Sequence, residues 1–241
     1  MRLSMARSYG TSVRPVEGRM RLAVHMLVLT FGLMTAGIGL TRPQAANAAK
    51  PVRLVVLGDS LSAGLGLPEA AAFPARLQKA LRDKGIDIDI SNAGVSGDTA
   101  SGGRDRLDWS VPQGTDAVIV ELGANDALRG LDPAVTRAAL TDIVKGLKTR
   151  GIAVMLCGMV APPNYGSDYA ARFNSIYPDL AKEFGVPLYP FFLAGVAADH
   201  RLNQADGIHP TAEGVDIIVS SILPSVETFL GAIRDQRASK G

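Results

Sequence analysis

The sequence predicts an α/β protein built on a parallel sheet of about five strands. Three observations carry that expectation. Apolar runs of strand length recur at residues 52–57, 86–90, 117–122, 152–157 and, more briefly, 186–188. Several are continuous rather than alternating, which suits parallel strands covered by helices on both faces. Helix-like stretches lie between them, and strand–helix alternation at this spacing means βαβ units.

The elements justify themselves in order. The run 52–57 breaks into Gly58-Asp59-Ser60-Leu61-Ser62-Ala63-Gly64, a sharp exit from a strand. Residues 73–84 are rich in Ala, Leu and Arg and stop before Gly85. Asp132-Pro133 is an N-cap followed by a first-turn proline, and the helix it opens runs to about Arg150, before Gly151. Residues 167–184 read as a further helix ending at Gly185, kinked or divided by Pro178. The stretch 211–233 closes the chain as a helix broken near Pro224, and residues 235–241 read as a frayed tail. Cys157 falls inside a strand run and is expected to be buried rather than reactive; as the single cysteine it allows no internal disulfide.

The first fifty residues have a different character. Arg2, Arg7, Arg14, Arg19 and Arg21 stand against one acid, Glu17; residues 22–40 are apolar apart from His25 and small or hydroxyl residues; Ala46-Asn47-Ala48 follows. Basic, apolar, small-residue is the plan of a secretory signal peptide, here residues 1–48. An uncleaved anchor is the alternative, because the 19-residue apolar run is just long enough to span a bilayer. Residues 49–241 then form one domain, exported to the periplasm or secreted. The leader holds six arginines and one glutamate, so the remainder carries 19 basic and 22 acidic residues, a formal charge of −3. That leaves no basic surplus for nucleic acid or an anionic membrane, and any membrane contact is left to the leader.

In open parallel sheets, ligands bind beyond the carboxyl ends of the strands. Four polar or glycine-rich loops fall there: 58–60, 92–98, 123–126 and 159–165. Ser60 follows the first strand, where it is either a nucleophile or part of a helix cap. A serine hydroxyl needs a base to take its proton and an acid to hold that base. His209 sits in the turn Asp206-Gly207-Ile208-His209-Pro210, so one short loop can present both Asp206 and His209. His200 is a weaker candidate, because its acidic neighbour Asp199 is adjacent and adjacent side chains point apart. An acyl-transfer intermediate also needs preorganised donors for its oxyanion. The Ser60 and Gly97 N–H groups and the Asn125 amide are the candidates. The G-x-S-x-G elbow is absent, since position 62 is serine, which argues against an α/β-hydrolase arrangement.

Taken together, Gly58-Asp59-Ser60-Leu61-Ser62, Gly97 within Val95–Thr99, Gly123-Ala124-Asn125-Asp126 and Asp206-x-x-His209 resemble the four blocks of the SGNH (GDSL) hydrolases, in order, across residues 52–230. The resemblance implies a flavodoxin-like three-layer α/β/α sandwich. It implies Ser60 as nucleophile, Asp206 and His209 as acid and base, and Ser60, Gly97 and Asn125 as oxyanion donors. It implies a small-molecule acyl ester or thioester as substrate: an aryl ester, a fatty acyl ester or a lysophospholipid. Ala124, where a second glycine is usual, and Gly102-Gly103-Arg104 depart from the pattern. No metal site and no phosphate-binding loop is expected, hence no cofactor. Residues 128–131 and 159–165 are expected to wall an acyl groove. A deacetylase of exported polysaccharide and a non-catalytic binding module on the same fold are the competing readings.

Overall fold

A computed structural model describes residues 50–239. The leader expected at residues 1–48 lies outside them. Five parallel strands form one sheet: β1 (Val52–Gly58), β2 (Ile88–Gly94), β3 (Ala117–Glu121), β4 (Ala153–Cys157) and β5 (Leu188–Tyr189), in the order β2-β1-β3-β4-β5. This is the flavodoxin-like order, and the direction of winding reverses between β1 and β3. The register sets Gly58 beside both Gly94 and Glu121, so three strands end together at that point.

The helices are α1 (Ser60–Ala63), α2 (Phe73–Asp83), α3 (Ala100–Asp105), α4 (Leu107–Ser110), α5 (Ala124–Leu128), α6 (Pro133–Thr149), α7 (Ser167–Asn174), α8 (Ile176–Phe184) and α9 (Ala212–Ala238). One layer packs α2 against α9; the other packs α3 and α8 against α6. Every residue of β3 is buried, and β1 is buried except at Arg53, as the continuous apolar runs require of strands covered on both faces. The buried Cys157 lies at the end of β4.

Three elements differ from the sequence expectation. Strand β2 begins two residues later than the apolar run and extends through Ser91, Asn92 and Ala93 to Gly94. It is an edge strand, so polar residues can occupy its outer positions. Pro178 divides the 167–184 stretch cleanly: the break falls at Ser175, and the proline sits in the first turn of α8, where its missing N–H has no intrahelical partner to lose. Pro224 does not break α9. Buried side chains on both sides, among them Ile222, Val226 and Phe229, hold the helix across it, and Thr228 Oγ1 donates to the Pro224 carbonyl at 3.0 Å. Nor is the tail frayed from residue 235. Arg237 pairs with Asp116 and donates to the Lys50 carbonyl, so α9 stays docked to Ala238.

Candidate active site

The site is assembled at the switch point, where β1 and β3 end. At Gly58 the chain leaves β1 so tightly that a Cβ would lie 2.3 Å from Ser62 Oγ and 2.5 Å from Glu121 Oε2. Asp59 then caps α1, its carboxylate accepting the Leu61 N–H at 2.9 Å. Ser60 is the first residue of α1 and only 7% exposed. The helix is anchored from behind, because Ser62 Oγ donates to the fully buried Glu121 carboxyl at 2.5 Å.

The turn before α9 brings the second part. Asp206 Oδ1 accepts the N–H groups of Ile208 and His209 at 2.9 and 3.0 Å, which leaves Oδ2 free to meet His209 Nδ1 at 2.7 Å. The opposite ring nitrogen, Nε2, lies 2.8 Å from Ser60 Oγ. The two backbone bonds, from His209 first and then Ile208, and the imidazole after them, hold the Asp206 carboxyl down to about 2. The turn is itself braced. Gln204 N donates to the His209 carbonyl at 2.7 Å, and Gln204 Nε2 reaches the Leu65 carbonyl at 2.8 Å, tying this loop to the segment after α1. His200, by contrast, is exposed, and Asp199 bonds to Arg201 rather than to an imidazole.

The other two candidate donors, Gly97 and Asn125, line the same cleft as Ser60. Gly97 adopts φ +86°, a backbone that an L-residue rarely takes. Among the described residues neither its N–H nor that of Ser60 donates to another protein group. Asn125 lies in the first turn of α5; its Nδ2 donates to Asp59 Oδ2 at 3.1 Å and to the Asp98 carbonyl at 3.0 Å. Both amide hydrogens are therefore oriented by the protein, and donation to an oxyanion would share one of them. Asp126, next in the chain, is fully buried and structural: it accepts the Ala100 N–H and the Thr136 hydroxyl, each at 2.9 Å.

A cleft of about 700 Å³ opens at Ser60, Gly97, Asn125 and His209. Ala127–Leu128 and Met159–Pro163 wall part of it, in agreement with the groove expected from sequence. Tyr165 and Leu131 do not line it; Tyr165 instead donates to the Leu128 carbonyl at 2.8 Å. Leu65, Phe191, Leu193 and Ile208 are among the further lining residues and were not foreseen. Phe191 and Leu193 follow β5 on the same sheet edge, so the rule that singled out the other loops would have found them. Of the two departures from the four-block pattern, Ala124 lines the cleft and Gly102–Arg104 does not. No group of three or more His, Cys, Asp or Glu residues is placed to hold a metal ion among the described residues.

Comparison with known proteins follows the same lines. Residues 56–217 match the family model described as the GDSL-like lipase/acylhydrolase family. Esterase TesA of Pseudomonas aeruginosa is 39% identical over 178 residues, covering 73% of this chain and 89% of that protein. The Escherichia coli protein named thioesterase 1/protease 1/lysophospholipase L1 is 41% identical over 173 residues, covering 71% and 82%. Among solved structures, AlinE4, described as an SGNH-hydrolase family esterase, is 44% identical with a TM-score of 0.63 over 74% of this chain and 96% of that one.

Proposed function

The chain belongs to the GDSL-like lipase/acylhydrolase family and is an ester hydrolase, and from that premise we propose that Ser60, His209 and Asp206 are its catalytic triad and that it cleaves esters or thioesters with an apolar acyl group. The observation that carries the reading is the unbroken hydrogen-bonded series Asp206–His209–Ser60 at the mouth of an apolar cleft.

The geometry supports the following steps. Ser60 Oγ attacks the carbonyl carbon while its proton passes to His209 Nε2. Asp206, ionised, fixes the Nδ1–H tautomer and balances the imidazolium charge. The carbonyl electrons move onto oxygen, which takes bonds from the Ser60 and Gly97 N–H groups and the Asn125 amide. As the tetrahedral intermediate collapses, His209 gives its proton to the leaving oxygen or sulfur. Water, deprotonated by the same imidazole, then releases the acid and restores Ser60.

Leu65, Leu128, Val160, Pro163, Phe191 and Ile208 make the cleft apolar, which supports an alkyl or aryl acyl group over a sugar acetate. The leader pattern supports export to the periplasm, a compartment that a lysophospholipid or short-chain ester substrate fits better than an acyl-CoA. A p-nitrophenyl ester series from acetate to laurate tests the acyl preference. Each added methylene that enters the cleft is worth up to about 0.8 kcal/mol, so kcat/KM is expected to rise by up to about fourfold per methylene until the cleft is filled. A preference for acetate, shared with an acetylated glycan, would leave the acyl assignment without support.

The role of Asp206 is separately testable. In Asp206→Asn the side-chain oxygen still accepts the two backbone N–H groups, but an NH₂ now faces His209 Nδ1. The ring must then carry its proton on Nε2, where it cannot take one from Ser60, and kcat is expected to fall by about 10³- to 10⁴-fold with KM little changed. In the unmodified protein Asp206 remains a carboxylate down to about pH 2, so protonation of Asp206 is not expected to limit turnover above about pH 3.

A further inference from the structure

We propose that Arg106, acting through Asp98, is a positioning residue that sets the three oxyanion donors relative to one another; the inference rests on the donor assignment above. Arg106 follows α3, is 5% exposed and does not reach the cleft. Its guanidinium is used in four directions. Nε donates to Asp98 Oδ2 at 2.5 Å, Nη2 to the Gly58 carbonyl at 2.7 Å, and Nη1 to the Ala93 carbonyl at 2.8 Å and Ser110 Oγ at 2.9 Å.

The partners explain why the arrangement bears on the reaction. Gly58 is the residue at which β1 turns toward Asp59 and Ser60, so fixing its carbonyl fixes the path to the Ser60 N–H. Asp98 follows Gly97 directly, so holding its carboxylate holds the loop that aims the Gly97 N–H. The Asp98 carbonyl also takes one hydrogen of the Asn125 amide. One buried cation therefore touches the backbone two residues before the nucleophile and the adjoining end of β2, and through a single residue reaches both remaining donors. Gly102 leaves room for this, because a Cβ there would lie 2.9 Å from Asp98 Oδ1.

A buried guanidinium is costly unless fully paired, and only a planar fork with several N–H vectors satisfies four acceptors set around it. Lysine carries the charge but not the fork, so Arg106→Lys keeps a cation in place and loses the geometry. Misplaced donors weaken stabilisation of the transition state more than binding of the substrate.

The test compares Arg106→Lys and Asp98→Asn with unmodified enzyme, with Arg104→Lys, on the half-buried arginine two residues earlier that pairs with Asp105, as a control. Removal of one oxyanion donor costs roughly 10²- to 10³-fold in kcat, so partial displacement of several is expected to cost about 10- to 100-fold with KM within about twofold. Affinity for a trifluoromethyl ketone analogue of the substrate should fall in the same proportion, while the acid limb of the pH–rate profile stays where it was. Asp98→Asn keeps the shape and one acceptor, so it supplies the same reading should Arg106→Lys fail to fold. Wild-type kcat in these variants, a loss confined to KM, or a fall in kcat without loss of analogue affinity overturns the proposal. Ser60→Ala, assayed in parallel, separates the two levels: if it is inactive while the Arg106 and Asp98 variants are unaffected, only the positioning role fails.

Discussion

Replacing Ser60 with alanine is expected to reduce kcat on a medium-chain ester by about 10⁵-fold or more while leaving the protein folded. The hydroxyl is the sole group of Ser60 that His209 meets, at 2.8 Å, and its removal leaves the backbone of α1 with the same Asp59 cap. The Ser62 hydroxyl cannot take over. Ser62, one turn face away, is fully buried and donates to Glu121, so it neither reaches the cleft nor meets the imidazole. Truncation removes only one oxygen from a site at the cleft wall, so the thermal midpoint is expected to stay within a few degrees of wild type, on the scale of about 4–8 °C per kcal/mol for small domains and less for larger ones. The measurements are ester turnover, the thermal midpoint, and covalent labelling by an organophosphate followed by mass spectrometry. Unmodified enzyme should take up one label, on the peptide bearing Ser60, and the variant none. Wild-type turnover by Ser60→Ala would remove the mechanism entirely.

What could be read from the sequence, and what could not, divides along physical lines. β1, β3 and β4 were legible because a strand covered on both faces must be largely apolar, and their runs are, apart from Arg53 and Glu121. β2 was displaced because an edge strand tolerates Ser91 and Asn92, which look like loop residues in sequence. The candidate site was legible where it consists of loop residues of unusual type: a serine after a strand, a glycine at φ +86°, a histidine three residues after an aspartate. Arg106 and Glu121 were not. An arginine near the end of a short helix and a glutamate at a strand terminus are ordinary surface residues by pattern, and only the assembled fold shows that both are buried. Burial of a charge is a property of tertiary neighbours, and no local spacing announces it. The continuous α9 shows the same limit, since packing on both sides of Pro224 outweighed a local preference to break.

Asp59 joins these levels and gives the prediction with the largest expected effect on stability. Its carboxyl is fully buried, and burial above all pushes it up from 3.8 to about 6, against the lowering effects of the Leu61 N–H and the Asn125 amide. A folded state that binds this proton more tightly than the unfolded chain is favoured at low pH. The stabilisation is complete below about pH 4 and is lost as pH rises through about 6. A shift of about two pH units corresponds to about 3 kcal/mol between those limits. Asp59→Asn has nothing to titrate at this position, so the difference in unfolding free energy between the two proteins, from denaturant curves at pH 4 and pH 7, is expected to move by about that amount in favour of the variant at the higher pH. A difference that stays flat across this range would mean that Asp59 is not the shifted group. The same variant should be a poor enzyme. Its single carbonyl oxygen can accept the Leu61 N–H, but its NH₂ then opposes the Asn125 amide, which must rotate away from the position where the oxyanion forms. A carboxylate that opposes its own burial yet orients a candidate oxyanion donor is the kind of local cost that a stable domain can carry for the sake of its chemistry.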